Sequence, residues 1–332
     1  MIVDIEAGMG FLDEETSRFT ASTDGLRLHY RDLGPASSAA LPVLCLPGLT
    51  RTSEDFGVLA AALAAGQGGL GAGVPRRVLA LDYRGRGGSA RDPQAENYNV
   101  GVEAGDVLAV LAAARVGPAI FVGTSRGGLI TLVLGATHPG LIRGTVLNDI
   151  GPVLEPAGLE RIRGYVGKLP IPRNWDEAVG TIQGYAGSQF TGLSKDEWLA
   201  FARTTFVERE GTFHGRYDPA LMHALRALEP TALPALWPQF EGLARAPLLV
   251  IRGENSDLLS EATAAEMARR HPDCALFTVP GQGHAPLLRD AATLDRIAAF
   301  ARHCDRFNRA GSDADTRPIA DAARSVPESG PA

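Results

Sequence analysis

The sequence predicts an α/β fold built on a mostly parallel sheet, and three observations carry that expectation. Six short, continuous apolar runs are spread along the chain, helical patterns separate most of them, and one long interval, 150–244, contains no such run. Unbroken apolar runs suit strands buried on both faces, as in parallel sheets. Their alternation with helices implies crossovers that cover the sheet on both sides.

In chain order, residues 18–33, RFTASTDGLRLHYRDL, read as a hairpin turning at Asp24-Gly25, with Leu26, Leu28 and Tyr30 alternating on one face. The six apolar runs follow: 41–48, 76–82, 118–123, 144–149, 246–253 and 274–281. Helical patterns fall at 53–65, 103–115, 126–137, 260–270 and 290–303. Between Asp149 and Arg245 the chain holds helix-like stretches with Trp175, Trp198, Phe201, Phe206, Leu221 and Trp237, broken by prolines. Hence the expected organisation is a core of 18–149 and 245–305, a helical cap insertion of 150–244, an N-terminal extension of 1–17, and a polar, disordered tail of 306–332.

Composition narrows the function classes. The 332 residues are 45% hydrophobic and 21% charged, enough for a large core. The net charge of −6 is dispersed without a basic stripe, so nucleic acid is not an expected partner. Cys45, Cys274 and Cys304 fit no zinc or disulfide spacing and read as buried thiols. The N-terminus is acidic and lacks a basic region before an apolar core, and no segment approaches 18 unbroken apolar residues. A soluble cytoplasmic protein without a membrane partner is the default expectation. Residues 66–71, GQGGLG, match a dinucleotide fingerprint, but here a helix precedes and a strand follows, the reverse of what pyrophosphate binding needs.

The chemistry is concentrated at VGTSRGGL, 122–129. A strand run ends just before Gly123-Thr124-Ser125-Arg126-Gly127 and a helical run starts just after. Such a turn exposes its middle residue at the carboxyl edge of the sheet, with glycines relieving the crowding. Ser125 then sits at a helix N-terminus, which favours developing negative charge. A serine hydroxyl needs a base, and His284, in a turn between the last strand and the last helix, has the most suggestive setting of the seven histidines. His138 and His271 precede prolines at helix ends, whereas His214 and His223 lie in the insertion. Three carboxylates in strand-end loops compete to orient the imidazole: Asp257, Glu254 and Asp149.

In these pieces the chain resembles the α/β-hydrolase fold superfamily, of the serine ester hydrolase type, over about residues 20–303. CLPGLTRTSEDF, LDYRGRGGS, VGTSRGG, RGENSD and GQGHAP match in order. The resemblance implies an eight-stranded-type sheet flanked by helices with a helical cap. It favours Asp257 over Asp149 and Glu254, since the chain order is then Ser125, Asp257, His284. It implies oxyanion-hole amides from Leu49, where Pro47-Gly48 stands in place of the usual His-Gly, and from Arg126. Asp82 to Ser89 match a turn whose role in the family is structural. The Arg126 side chain is less usual; pairing with an acidic residue of the insertion is favoured over selecting a substrate carboxylate.

The expected function is therefore cleavage of a small, apolar carboxylic ester through an acyl-enzyme on Ser125, with no metal or organic cofactor. Lactone or C–C hydrolysis by the same triad is the alternative, and a non-catalytic ligand-binding protein on this scaffold is the other. Trp175, Trp198, Phe206 and Trp237, with Tyr185, Phe190 and Phe213, are candidates to line an apolar pocket, against the reading that most form the insertion's own core. HGRYDPAL, 214–221, reads as a turn entering a helix capped by Asp218. Oligomeric state is left open.

Overall fold

In the computed structural model, which describes residues 14–67, 73–223 and 233–315, the six apolar runs become the six parallel strands of one sheet. A hairpin, β1 (Ser17–Ala21) and β2 (Arg27–Leu33), precedes β3 (Val43–Leu46), α1 (Gly57–Ala64), β4 (Val78–Asp82), α2 (Val100–Ala114), β5 (Ala119–Thr124), α3 (Arg126–Thr137) and β6 (Ile142–Asn148). The sheet order is β1-β2-β4-β3-β5-β6, completed by β9 (Leu248–Gly253) and β10 (Cys274–Val279). Only β2 breaks the parallel arrangement, running antiparallel to both β1 and β4. The chain leaves β3 for β4 on one side and returns to β5 on the other. That reversal opens a crevice beyond the carboxyl ends of β3 and β5, where open α/β sheets bind ligands.

The period-two alternation of the strands builds two apolar layers. Leu44, Leu46, Leu79, Leu81, Phe121, Leu147 and Val250 face α2, α3 and α8 (Glu261–Arg270). Val43, Cys45, Val78, Ala80, Ile120, Val122 and Ile251 face α1 and α9 (Ala291–Asp315). All three cysteines are unpaired; Cys45 and Cys304 are buried, and burial pushes the Cys304 thiol up to about 12.

Between β6 and β9 lie α4 (Pro156–Tyr165), α5 (Trp175–Ala186), α6 (Lys195–Thr205), a hairpin of β7 (Phe206–Arg209) with β8 (Thr212–Gly215), and α7 (Trp237–Glu241). This region has an apolar cluster of its own, in which Trp198, Phe201, Phe206 and Phe213 pack on Ala178, Ile182 and Phe190. A purely helical insertion was expected, so the hairpin is a correction. Its turn places Glu210 and Gly211 at φ 51° and 74°, and glutamate is a weak signal for such a turn. Asp218 caps the short turn Pro219–Leu221 by accepting the Ala220 N–H, as anticipated.

The expected tail is corrected in part, because α9 continues to Asp315. Polar residues there are tied to the core: Asp305 accepts from Arg76 at 3.0 Å and from the Leu41 N–H at 2.9 Å, and Asn308 donates to the Arg143 carbonyl at 3.1 Å. Residues 316–332, 1–13 of the expected extension, and 68–72 of the glycine-rich stretch lie outside the described residues. Among the described residues, no helix is long and apolar enough to cross a membrane.

Candidate active site

Ser125 occupies the turn between β5 and α3 at φ 49°, ψ −110°, a strained conformation for a non-glycine residue. Its neighbours make the turn possible. A Cβ on Gly123 would lie 2.7 Å from backbone atoms of Gly127 and Gly128, and one on Gly127 would overlap the Leu46 carbonyl. The Ser125 N–H donates to the Asn148 carbonyl at 3.1 Å, and its own carbonyl accepts from Gly128 and Leu129. The hydroxyl is thus aimed off the sheet edge, half-buried, at the N-terminus of α3.

His284 comes from the loop after β10. Its backbone N–H donates to Gln189 Oε1 at 2.9 Å, and Nε2 lies 2.8 Å from Ser125 Oγ. Nδ1 lies 2.8 Å from Asp149 Oδ2. A carboxylate only accepts, so Nδ1 carries the proton and Nε2 is left to accept the serine hydroxyl's. Asp149 is fully buried at φ 55° just past β6. Its Oδ1 accepts the Gly253 N–H at 2.8 Å and its Oδ2 the Ser256 hydroxyl at 2.6 Å.

The expectation that Asp257 orients the histidine is overturned by this geometry. Both Asp257 oxygens are taken by Arg161, Oδ2 by Nε at 2.6 Å and Oδ1 by Nη2 at 2.9 Å. Burial works to raise the Asp257 carboxyl pKa, but the Arg161 and Gln189 hydrogen bonds bring it below its ordinary value. Glu254 is likewise elsewhere, accepting the Gly281 N–H at 2.7 Å.

Leu49 lines the cavity in front of Ser125, its carbonyl accepting from Arg86 Nε at 2.8 Å. Arg126 opens α3, so its N–H has no acceptor within the helix. The Arg126 side chain finds an acidic partner, though in the core and not in the insertion: Nε donates to Glu103 Oε2 at 2.6 Å. Glu103 Oε1 accepts from Arg86 Nη1 at 2.7 Å, joining the two arginines.

The cavity encloses about 100 Å³. Its apolar wall includes Tyr165, Tyr185, Phe190 and Phe201. None of Trp175, Trp198, Phe206 and Trp237 lines it, which corrects that expectation. Trp198 and Phe206 are buried in the insertion's apolar cluster, with Trp175 packed against it. Trp237 packs on the main core and under Arg270, 4.0 Å from its ring centre. Sequence reading missed Arg51, Arg161 and Arg289, which also line the cavity; lone arginines far apart in sequence carry no local pattern.

A second serine–histidine–aspartate contact has a different character. Ser17 Oγ lies 2.7 Å from His29 Nε2, and His29 Nδ1 lies 2.7 Å from Asp82 Oδ2. Asp82 also accepts the N–H groups of Ser53 and Gly88. Ser17 is an ordinary strand residue, and the set pins β1, β2 and the turn after β4 together. Among the described residues, no group of three or more metal-ligating side chains comes together.

Residues 43–296 match the profile of the Alpha/beta hydrolase family. The chain is 34% identical over 278 residues to 3-hydroxybutyrate-oligomer hydrolase of Cupriavidus necator, covering 81% of this chain and 90% of that one. It is 32% identical over 191 residues to pimeloyl-[acyl-carrier protein] methyl ester esterase of Xanthomonas oryzae, covering 56% and 70%. The crystal structure of an alpha/beta hydrolase from Novosphingobium aromaticivorans superposes with a TM-score of 0.77 at 39% identity, covering 86% of this chain and 97% of that one.

Proposed function

The chain belongs to the alpha/beta hydrolase family, and from that premise we propose that it hydrolyses small carboxylic esters through an acyl-enzyme on Ser125. The observation that carries the reading is the continuous relay from Ser125 Oγ through His284 to Asp149, with both links at 2.8 Å. His284 Nε2 takes the hydroxyl proton as Ser125 attacks the ester carbonyl. Asp149 holds the imidazole in the required tautomer and stabilises its charged form. The backbone N–H groups of Leu49 and Arg126 receive the developing oxyanion, and the N-terminus of α3 adds to the same field. His284 then returns the proton to the departing alkoxide. Water, activated by the same imidazole, releases the acid.

The residues between β6 and β9 act as a cap whose Tyr165, Tyr185, Phe190 and Phe201 meet the substrate. Lactone and C–C hydrolysis could use the same relay. The ester reading is preferred because one relative is named a methyl ester esterase and another an oligomer hydrolase.

The test is Ser125→Ala assayed on short-chain nitrophenyl esters, with circular dichroism to verify folding. Turnover falls by a factor on the order of 10⁶, as when a serine nucleophile is removed from such a unit. A folded Ser125→Ala protein with wild-type turnover would overturn the assignment.

A further inference from the structure

Three guanidinium groups line the cavity in front of Ser125, and two of them carry their own counter-ion. Asp55 grips Arg51 with both oxygens, at 2.7 Å and 2.6 Å. Asp257 grips Arg161 in the same fashion. Arg289 is different. Among the described residues no carboxylate lies within ion-pair distance of it. Its hydrogen bond, at 3.4 Å, goes to Thr204 Oγ1, a hydroxyl already taking Arg51 Nη2 at 2.6 Å. Burial pushes the Arg289 guanidinium below its ordinary pKa; the nearby Asp55 opposes this, and Arg51 adds a smaller push in the same direction as burial. The remaining negative charge of the site, Asp149, is fully buried behind His284 and already accepts from three donors. Arg289 is therefore the one guanidinium of the three without a carboxylate paired to it, and burial makes an unpaired charge costly.

Arg289 is also fixed with respect to the chemistry. It follows His284 by five residues in one loop. That loop is held where Asn148 Nδ2 donates to the Pro286 carbonyl at 2.9 Å and where the Leu287 N–H donates to Gln282 Oε1 at 2.9 Å. Leu288, buried at φ 55°, then turns the chain so that residue 289 enters the cavity wall. A guanidinium is a rigid fork that matches a carboxylate with two parallel hydrogen bonds.

We propose that Arg289 is a carboxylate-binding subsite, so that the substrate is an ester that also carries a free carboxylate a short chain away from the scissile carbonyl. The inference rests on the serine hydrolase reading above and specifies its substrate class. The spacer is short because Ser125 and Arg289 line the same cavity. The aromatic and aliphatic wall around the spacer excludes water and strengthens the ion pair. Arg51, neutralised by Asp55 and sharing Thr204, keeps the fork of Arg289 oriented.

The test compares mono-nitrophenyl glutarate with nitrophenyl valerate, which have equal acyl chain lengths but only one free carboxylate between them. The wild-type protein favours the glutarate ester in kcat/KM. In Arg289→Gln the ratio of the two values falls at least about 30-fold, the lower end for removing one partner of a desolvated charge pair. The loss appears chiefly in KM, and Arg289→Lys restores part of it. A group that only pins the cap would depress both substrates alike, so an unchanged ratio overturns the proposal. Should Arg289→Gln fail to fold, inhibition of the wild-type protein decides: glutarate inhibits more strongly than glutaramide, and equal inhibition overturns the subsite. Ser125→Ala separates the two readings. If that variant still hydrolyses the esters, the serine assignment fails, while calorimetric binding of glutarate still reports on Arg289.

Discussion

Asp149 and Asp257 both stand just beyond a parallel strand, yet only Asp149 is free to orient an imidazole. Arg161 occupies both oxygens of Asp257, whereas Asp149 turns into the left-handed region and offers Oδ2 to His284. Asp149→Asn is expected to lower kcat by about 10⁴-fold, because the amide favours the wrong imidazole tautomer. Asp257→Asn stays within about tenfold, as for a residue outside the proton relay. Parallel steady-state assays of the two variants check this, and the reverse ranking would return Asp257 to the relay. Sequence could not separate the two acids. The group that removes Asp257 from contention lies 96 residues away on another element. Ser125 and His284 were legible because each sits in a local strand–turn–helix pattern with glycines at fixed offsets. The pocket aromatics were legible only in part: Tyr185 and Phe190, among the candidates, line the cavity, whereas the tryptophans and Phe206 do not, because composition does not say which face of an amphipathic segment each ring takes.

At the scale of elements, the site depends on how closely α3 can approach the strand next to β5. Gly127 sits against the Leu46 carbonyl of β3, so a methyl group there forces α3 away from the sheet. Gly127→Ala is expected to destabilise the fold by about 1–3 kcal/mol, as overpacking of a filled core does. Urea unfolding measures it, and an unchanged midpoint would show that the turn has slack. The elements that sequence made legible are those with one dominant physical signal. Continuous apolar runs marked the buried strands, and the Asp24-Gly25 turn marked the first hairpin. The short β7–β8 hairpin lacked such a signal, and the end of α9 looked like solvent-loving chain because its anchors, Asp305 and Asn308, are polar residues with distant partners.

Over the whole molecule, the sheet brings the candidate relay together from three strand ends. Ser125 follows β5, Asp149 β6 and His284 β10, so groups as much as 159 residues apart meet at hydrogen-bond distance. The segment between β6 and β9 is tied down beside the histidine, where Gln189 accepts from the His284 N–H and Asn255 donates to the Gln189 carbonyl. A net charge of −6 gives no hint that an arginine without a paired carboxylate lines the cavity, because that depends on which arginines happen to be paired. The proposed chemistry depends above all on a serine at 125 made reactive by its neighbours. Labelling with a fluorophosphonate, followed by mass spectrometry of the digested protein, measures that directly. A single adduct is expected on the peptide that contains Ser125, absent in Ser125→Ala and strongly slowed in His284→Asn. An adduct on another residue, or tight ligand binding with no adduct at all, would contradict it.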